Sequence, residues 1–439
     1  MPSFRRIITK CCRWISDNVL KVLNIFGDIL QNFCNQSGIF DFKFIKERKK
    51  HRVIVECAAD GYHWRLHASK EYNKNTFKIK TINPSHTYGG GIGSASHPKA
   101  SKKWVSARMI QKLKDRPLYK AIDIQKDMLR EHGAHIPYKQ TWLGTEHARV
   151  VLNGSDISNY DLLLWYVDKV VETNLGSIAI LERDGEFFKR VFFSFRVCIV
   201  GFKRACRPLL FLDGTHLLGK YWGTLMGATG KDGNNGFFHI AFGIVDNETD
   251  ANWTWFISKL GERWGEMYSN VTESFNAWIK EARHLPVTKM VNSIRFKLMR
   301  MLCNRREQAN KWETYLCPNI HSKVEILVED SQNLRIGRCV DDRYKVIDKY
   351  SNSVDLAIRT RSCRKWQVYG IPFKHACSAI MQTDSNIHRF FSGYFTVDNY
   401  KLSYKKVIFP IPNDDKPTDG NRELLFRSPV TRRQPWHLR

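Results

Sequence analysis

Residues 211–260 read FLDGTHLLGKYWGTLMGATGKDGNNGFFHIAFGIVDNETDANWTWFISKL. The apolar run RPLLFLDG (207–214) leads into this stretch, and two more β-like runs follow, WGTLMGATG (222–230) and FFHIAFGIVDNE (237–248), each set off by turn residues. A Trp-rich stretch with helical spacing, ANWTWFISKLGERWGEM, comes next. A run of strands followed by helix predicts an α+β fold. Asp213 closes the first run and Gly214 follows it. A carboxylate at a strand end can hold a divalent metal at a sheet surface, where two-metal phosphoryl-transfer sites begin. An Asp before Gly at a strand end also makes an ordinary turn.

Working outward, the upstream half first shows Ile15, Val19, Val22, Phe26, Ile29 and Phe33 at helical spacing, an amphipathic helix within residues 1–40. A basic run, DFKFIKERKKHR (41–52), precedes three β-like stretches, RVIVEC, WRLHAS and TFKIKTI, which suggest a small antiparallel sheet. The Gly/Ser/Lys-rich segment 85–103 reads as a cationic linker, and residues 121–133 and 159–174 as helices. GSIAILE (176–182) and KRVFFSFRVCIVGF (189–202) read as strands. Downstream, 269–286 and 291–316 read as helical and 324–360 as a second β-rich region, with a strand in SVDLAIRT. The Pro/Asp/Arg-rich end from 408 onward reads as mostly disordered.

The chain has 439 residues, enough for two or three domains, and 43% of them are hydrophobic, which excludes wholesale disorder. Lys and Arg number 70 against 43 Asp and Glu, a formal net charge of +27. Such an excess asks for a polyanionic partner or a charged surface. No apolar run approaches the ~20 residues of a membrane-spanning helix. The eleven cysteines are scattered, so a reducing compartment fits better than a disulfide framework.

The blocks FLDGTHL, GKYWGTL, TGKDGNNGFFHIAFGIVDNE and NWTWF, followed by SNVTESFNAWIKEARHLPVTKMVNSIR, resemble the transposase domain of plant Mutator-like elements, and they stand in family order. DLAIRTRSCRKWQVYGIPFKHACSAI is similar to that family's SWIM-type zinc finger, and residues 41–87 to its MuDR-type N-terminal DNA-binding domain. The resemblance covers roughly residues 41–410. It implies a multidomain α+β chain: an N-terminal helix (1–40), a small β-rich zinc-finger-like domain (41–90), a linker and helical connector (91–175), an incomplete RNase H-like α/β core (176–262), a helical remnant carrying the catalytic Glu (263–320), a degenerate SWIM finger (321–383) and a mostly disordered tail (384–439).

In the family, Asp, Asp and Glu hold two divalent metals. The resemblance maps the first Asp to Asp213 and the Glu to Glu273. The second Asp belongs to a strand whose segment is missing at the junction of Glu262 and Arg263, so the strand is expected to be lost and the site inactive, without the family's Mg²⁺. Asp232, Asp246, Glu248 and Asp250 stand nearby and read as turn and surface carboxylates. Structural zinc needs a closed set of four ligands. Of the N-terminal set Cys57 and His86 remain, while Tyr62 and Tyr88 replace two ligands, with His63 and His67 as nearby substitutes. Of the SWIM set Cys363 and His375 remain, with Arg361 and Phe373 at the lost positions and Cys377 as a candidate third ligand. Weak zinc binding or none is expected.

The expected function is that of a nuclear, transposase-derived DNA-binding protein without recombinase activity. Its candidate DNA contacts are Lys46, Arg48, Lys49, Lys50 and Arg52, with Lys102 and Lys103 in the linker. Three alternatives stand beside it: an active transposase, which needs coding sequence at the Glu262–Arg263 junction; a module that binds protein partners through the SWIM-like region; and a non-functional element fragment.

Overall fold

The computed structural model describes residues 42–44, 52–57, 65–70, 77–82, 101–132, 136–219, 221, 223–261, 266–268, 272–361, 366, 369–383, 385–417 and 426–429. The helix expected within residues 1–40 lies outside them. Two compact units divide the chain, Met1–Asn153 and Gly154–Arg439.

In the first unit, β1 (Phe42–Phe44), β2 (Arg52–Cys57), β3 (Arg65–Lys70) and β4 (Phe77–Ile82) form the expected antiparallel sheet in sequence order. The β-branched run Val53–Ile54–Val55 suits a pleated strand, and Ile54 is buried. Helices α1 (Lys102–Asp115), α2 (Ala121–His132) and α3 (Tyr138–Asn153) follow. The helical spacing of Val105, Met109 and Leu113 builds a core with Ile124, Met128, Ile136 and Ala148. α1 and α3 meet at Gly144, where an added Cβ would stand 2.6 Å from the Val105 Cβ. Asp127 ties α2 to the preceding elements, accepting from Lys112 and Tyr119, both at 2.7 Å.

The second unit opens with α4 (Asp156–Thr173), capped by Ser155. β5 (Ile178–Asp184) and β6 (Phe187–Ser194) form a hairpin, then α5 (Arg196–Ala205) leads to β7 (Leu209–His216), β8 (Thr224–Lys231) and β9 (Phe237–Val245). The strand expected over 189–202 therefore ends at Ser194. Cys198, Gly201, Phe202 and Ala205 are buried at spacings of three and four, so the apolar run beyond it is one face of a helix. α6 (Asp250–Leu260) starts at the Thr249 cap. β10 (Glu266–Tyr268), α7 (Thr272–Trp278) and α8 (Val287–Ala309) follow.

The central sheet has the order β10-β7-β8-β9-β6-β5. Every pairing is antiparallel except β10 with β7, which is parallel. The sequence reading expects the central sheet to lose the strand that follows the Glu262–Arg263 junction, and β10, which joins that sheet beside β7, corrects it. Three residues suffice, because Met267 pairs beside Leu210 in the apolar part of β7. One face of the sheet receives α6, whose Phe256 lies against Gly243. The other receives α4, where Tyr166 meets Phe193, and α7, where Phe275 lies over Gly227.

α9 (Pro318–Ser331) occupies the first part of the region expected to be β-rich from 324. The strands begin later: β11 (Arg335–Val340), β12 (Arg343–Ile347), β13 (Ser351–Asp355) and β14 (Thr360–Arg361), all antiparallel. With α10 (Lys374–Ile380) they enclose Tyr344, Val346, Val354, Leu356, Trp366 and Ile380. In SVDLAIRT, Val354 and Leu356 are buried, but Ile358 is exposed at 66% because the chain turns at Arg359, where φ is +51°.

Residues 384–439 are not simply a tail. α11 (Val397–Tyr404) packs on α5 so closely that a Cβ on Gly201 would stand 2.4 Å from the Ser403 carbonyl. Phe409 exchanges hydrogen bonds with the Asn174 side chain, and Arg427 bonds to the backbone of Glu186 and Phe188. Phe395, Tyr404 and Phe426 are fully buried. The apolar residues between the prolines and charges carry this segment into the core.

Candidate catalytic site

β7 alternates its side chains, so Asp213 and Thr215 face α7 and Gly214 faces α6. Asp213 pairs across the sheet with Gly227, and Phe275 of α7 fills the space that a Cβ on Gly227 would occupy, 2.4 Å from the ring. Farther along β9, His239 stacks on Trp278 with centroids 4.0 Å apart and exchanges a hydrogen bond with Thr229 at 3.0 Å. Burial pushes the His239 pKa down to about 3, so the ring is neutral. A glycine notch and a neutral imidazole thus seat α7 on the sheet. The strand loss expected after Glu262 therefore does not leave this helix without a surface to pack on.

Asp213 lies beneath that helix, 6% exposed. Neither carboxylate oxygen has a hydrogen-bond partner among the described residues. Burial pushes its pKa up to about 6, and the charge of Glu248 adds to the shift. Beside it, Arg283 donates to the Thr215 hydroxyl. Glu273 is on the first turn of α7, two residues before Phe275, and its side chain lies outside the described part.

The other carboxylates serve elsewhere. A Cβ on Gly214 would stand 3.0 Å from the Glu248 carboxylate, which places Glu248 on the α6 side of the sheet, where it accepts from Trp253 at 3.3 Å. Asp246 accepts from Asn252 at 2.8 Å, and Asp250 lies in the first turn of α6. Asp232 is buried in the β8–β9 turn, bonded to Gly236, Asn234, Arg305 and Tyr404. Among the described residues, no three His, Cys, Asp or Glu side chains are placed to hold one metal ion. Among the described side chains Asp213 has no second carboxylate beside it, whereas a pair of divalent ions needs carboxylates on both sides of a reachable phosphate.

Of the zinc candidates, only some lie in the described part of the chain. Cys57 ends β2 and pairs in backbone with Phe42, while His86, Tyr62, Tyr88 and His63 lie outside the described residues. His67 on β3 accepts from Arg52 Nε at 2.8 Å, which occupies its Nε2. Cys363 also lies outside the described residues. His375 is buried on α10 with its Nε2 3.5 Å from Asp348 and 3.4 Å from Asn352. Cys377 does not join it. Its thiol donates to the Pro372 carbonyl at 3.6 Å, and burial pushes its pKa up to about 12, away from the thiolate that zinc binds. Two residues apart on one helix, the two side chains also point in different directions. We expect less than one zinc per chain after dialysis against a chelator, measured by metal analysis. Two zincs retained would contradict this assignment.

Of the candidate DNA contacts, Lys46, Arg48, Lys49 and Lys50 lie outside the described residues. Arg52 is exposed on β2, and Lys102 and Lys103 are exposed in the first turn of α1 rather than in a linker. Sequence reasoning did not single out Gly227, His239, Phe275 or Trp278 as the seat of α7. Gly227 inside a strand-like run was the one available signal.

Two family models match the chain: the MULE transposase domain over residues 209–280, and the MuDR family transposase over residues 37–79. No curated protein and no solved structure matches it.

Proposed function

We propose, from the premise that the chain belongs to the Mutator-like transposase family, that it is a transposase-derived DNA-binding protein that has lost recombinase activity and acts in the nucleus. The observation that carries the second part is the burial of Asp213 under α7, with no second carboxylate converging on it among the described side chains. A scissile phosphate has to reach such a carboxylate through metal, and misplacement by one ångström already costs ~100-fold in rate. Three antiparallel strands with a fourth parallel to the first, β9-β8-β7-β10, support an RNase H-like reading of the core. The sheet β11–β14 with α10 supports a SWIM-like unit held by Trp366 and its apolar neighbours instead of zinc.

The DNA-binding part is supported by the match over residues 37–79 and by the charge of +27. Lys and Arg that neutralise phosphates release counterions, so log K should fall with log salt by about 0.9 per contact. The test is a mobility shift of the full chain on duplex DNA over a salt series, with Mg²⁺ present and the products resolved on a denaturing gel. We expect a steep salt slope that flattens in Lys49→Ala/Lys50→Ala/Arg52→Ala, and no strand cleavage. An unchanged slope removes these residues from the interface. Cleavage that disappears in Asp213→Ala and Glu273→Ala overturns the loss of activity. Among the described residues no helix is long and apolar enough to cross a membrane.

A further inference from the structure

α5 and α11 are far apart in sequence and end at one crossing. The Gly201 Cα approaches the Ser403 carbonyl there, and the Cys206 thiol lies 3.7 Å from the Ser403 hydroxyl. Each helix runs out into cations. α5 ends in Lys203 and Arg204, both exposed, and α11 carries Lys401 before the exposed pair Lys405 and Lys406. Arg204, Lys401, Lys405 and Lys406 enter no ion pair among the described residues. Residues 196–212 and 399–413 contain no Asp or Glu. The nearest buried carboxylate, Asp232, is taken by Arg305 and the Tyr404 hydroxyl.

Cations at helix C-termini are favoured by the helix dipole, which explains one or two of them. Arg204, Lys401, Lys405 and Lys406, on the two helices that cross there, with no Asp or Glu in either flanking segment, also repel one another. A row of phosphates relieves that repulsion and is the partner that an uninterrupted cationic surface fits. We infer that the crossing of α5 and α11 is a second DNA-backbone contact, on the unit that carries Asp213 and separate from the basic N-terminal segment. This inference rests on the DNA-binding reading and adds a location to it.

The experiment compares full-length wild type with Lys203→Ala/Arg204→Ala/Lys405→Ala/Lys406→Ala on one duplex over a salt series. Lys280→Ala/Lys311→Ala, two exposed lysines elsewhere in the same unit, is the control. The quadruple variant should have a salt slope shallower by about 2 to 4 and bind at least ~10-fold more weakly near 0.1 M salt. The control should change less per charge removed. Should the quadruple variant fail to fold by circular dichroism, Lys405→Ala/Lys406→Ala alone should give about half the slope change. An unchanged slope, or a control that flattens as much per charge, overturns the assignment. So does loss of binding to anionic vesicles in the quadruple variant with DNA binding intact, which would make the patch a lipid contact. Failure of the wild type to bind DNA at all would instead overturn the underlying DNA-binding reading.

Discussion

Asp213→Asn should make the protein more stable at pH 7.5, by about 1–3 kcal/mol. The wild-type carboxylate is buried without a partner, and its pKa is raised to about 6. A carboxyl whose folded pKa lies above its unfolded value, near 3.9, binds its proton more tightly in the folded state. Stability is therefore highest when the group is protonated, falls as pH rises from about 4 to 6, and stays low above that. Reduced for the partial screening of the group, that difference between the folded and unfolded states is worth about 1–3 kcal/mol. The amide is nearly isosteric and carries no charge, so it escapes the loss. Denaturant midpoints at pH 4 and pH 7.5 check this. The variant should exceed wild type at pH 7.5 and match it at pH 4. Equal stability at pH 7.5, or a gain of the same size at both pH values, would show that the charge is not what costs stability. Such a gain is expected of a position inherited from a catalytic role rather than selected for folding.

Asp232→Ala should destabilise the protein by about 3–5 kcal/mol, the cost of breaking a buried pair from one side. Asp232 is 1% exposed and accepts from the amides of Asn234 and Gly236 at 3.0 and 2.7 Å, from Arg305 at 3.1 Å and from the Tyr404 hydroxyl at 2.7 Å. Alanine leaves a guanidinium, a phenol and two amides without their acceptor. Tyr404→Phe removes one of these bonds and the one its hydroxyl accepts from Arg305, and should cost about 1–2 kcal/mol. The midpoint of denaturant unfolding orders the variants. An Asp232→Ala protein as stable as Tyr404→Phe would mean that the turn is organised by its backbone alone. The same Asp reads in sequence as a turn carboxylate, which describes its bonds to Asn234 and Gly236 and misses those to Arg305 and Tyr404. Short-range partners are visible in a chain; partners 73 and 172 residues away are not.

That contrast runs through the whole molecule. The strands at 52–57, 65–70 and 77–82 and the helix at 156–173 are legible because alternation and helical spacing state which face is buried. The run at 196–202 misleads because a helix buried on one side and a strand buried on both show the same dense apolar composition. Asp213 stands out as a strand-end carboxylate, yet its enclosure depends on Phe275 filling a notch at Gly227, a packing fact with no local pattern. β10 is three residues long and stands on its pairing with β7, below the length at which any periodicity can be read. The end of the chain has a polar, proline-rich composition, and three of its aromatics, Phe395, Tyr404 and Phe426, nevertheless find sites in the core.

The hydrogen bond from Tyr404 to Asp232 spans 172 residues, and this sets a clock on synthesis. A ribosome adding about 5–20 residues per second takes roughly ten to thirty seconds to travel from the β8–β9 turn to α11. During that interval the hairpin has emerged with its carboxylate turned inward and no phenol to meet it, and the side of α5 around Gly201 has no helix upon it. The central unit therefore cannot finish folding as it is made. Its last step waits for the C-terminal helix, and a nascent chain held at that stage exposes Phe238 and the side of α5 around Gly201, the kind of surface on which chaperones act and at which aggregation starts.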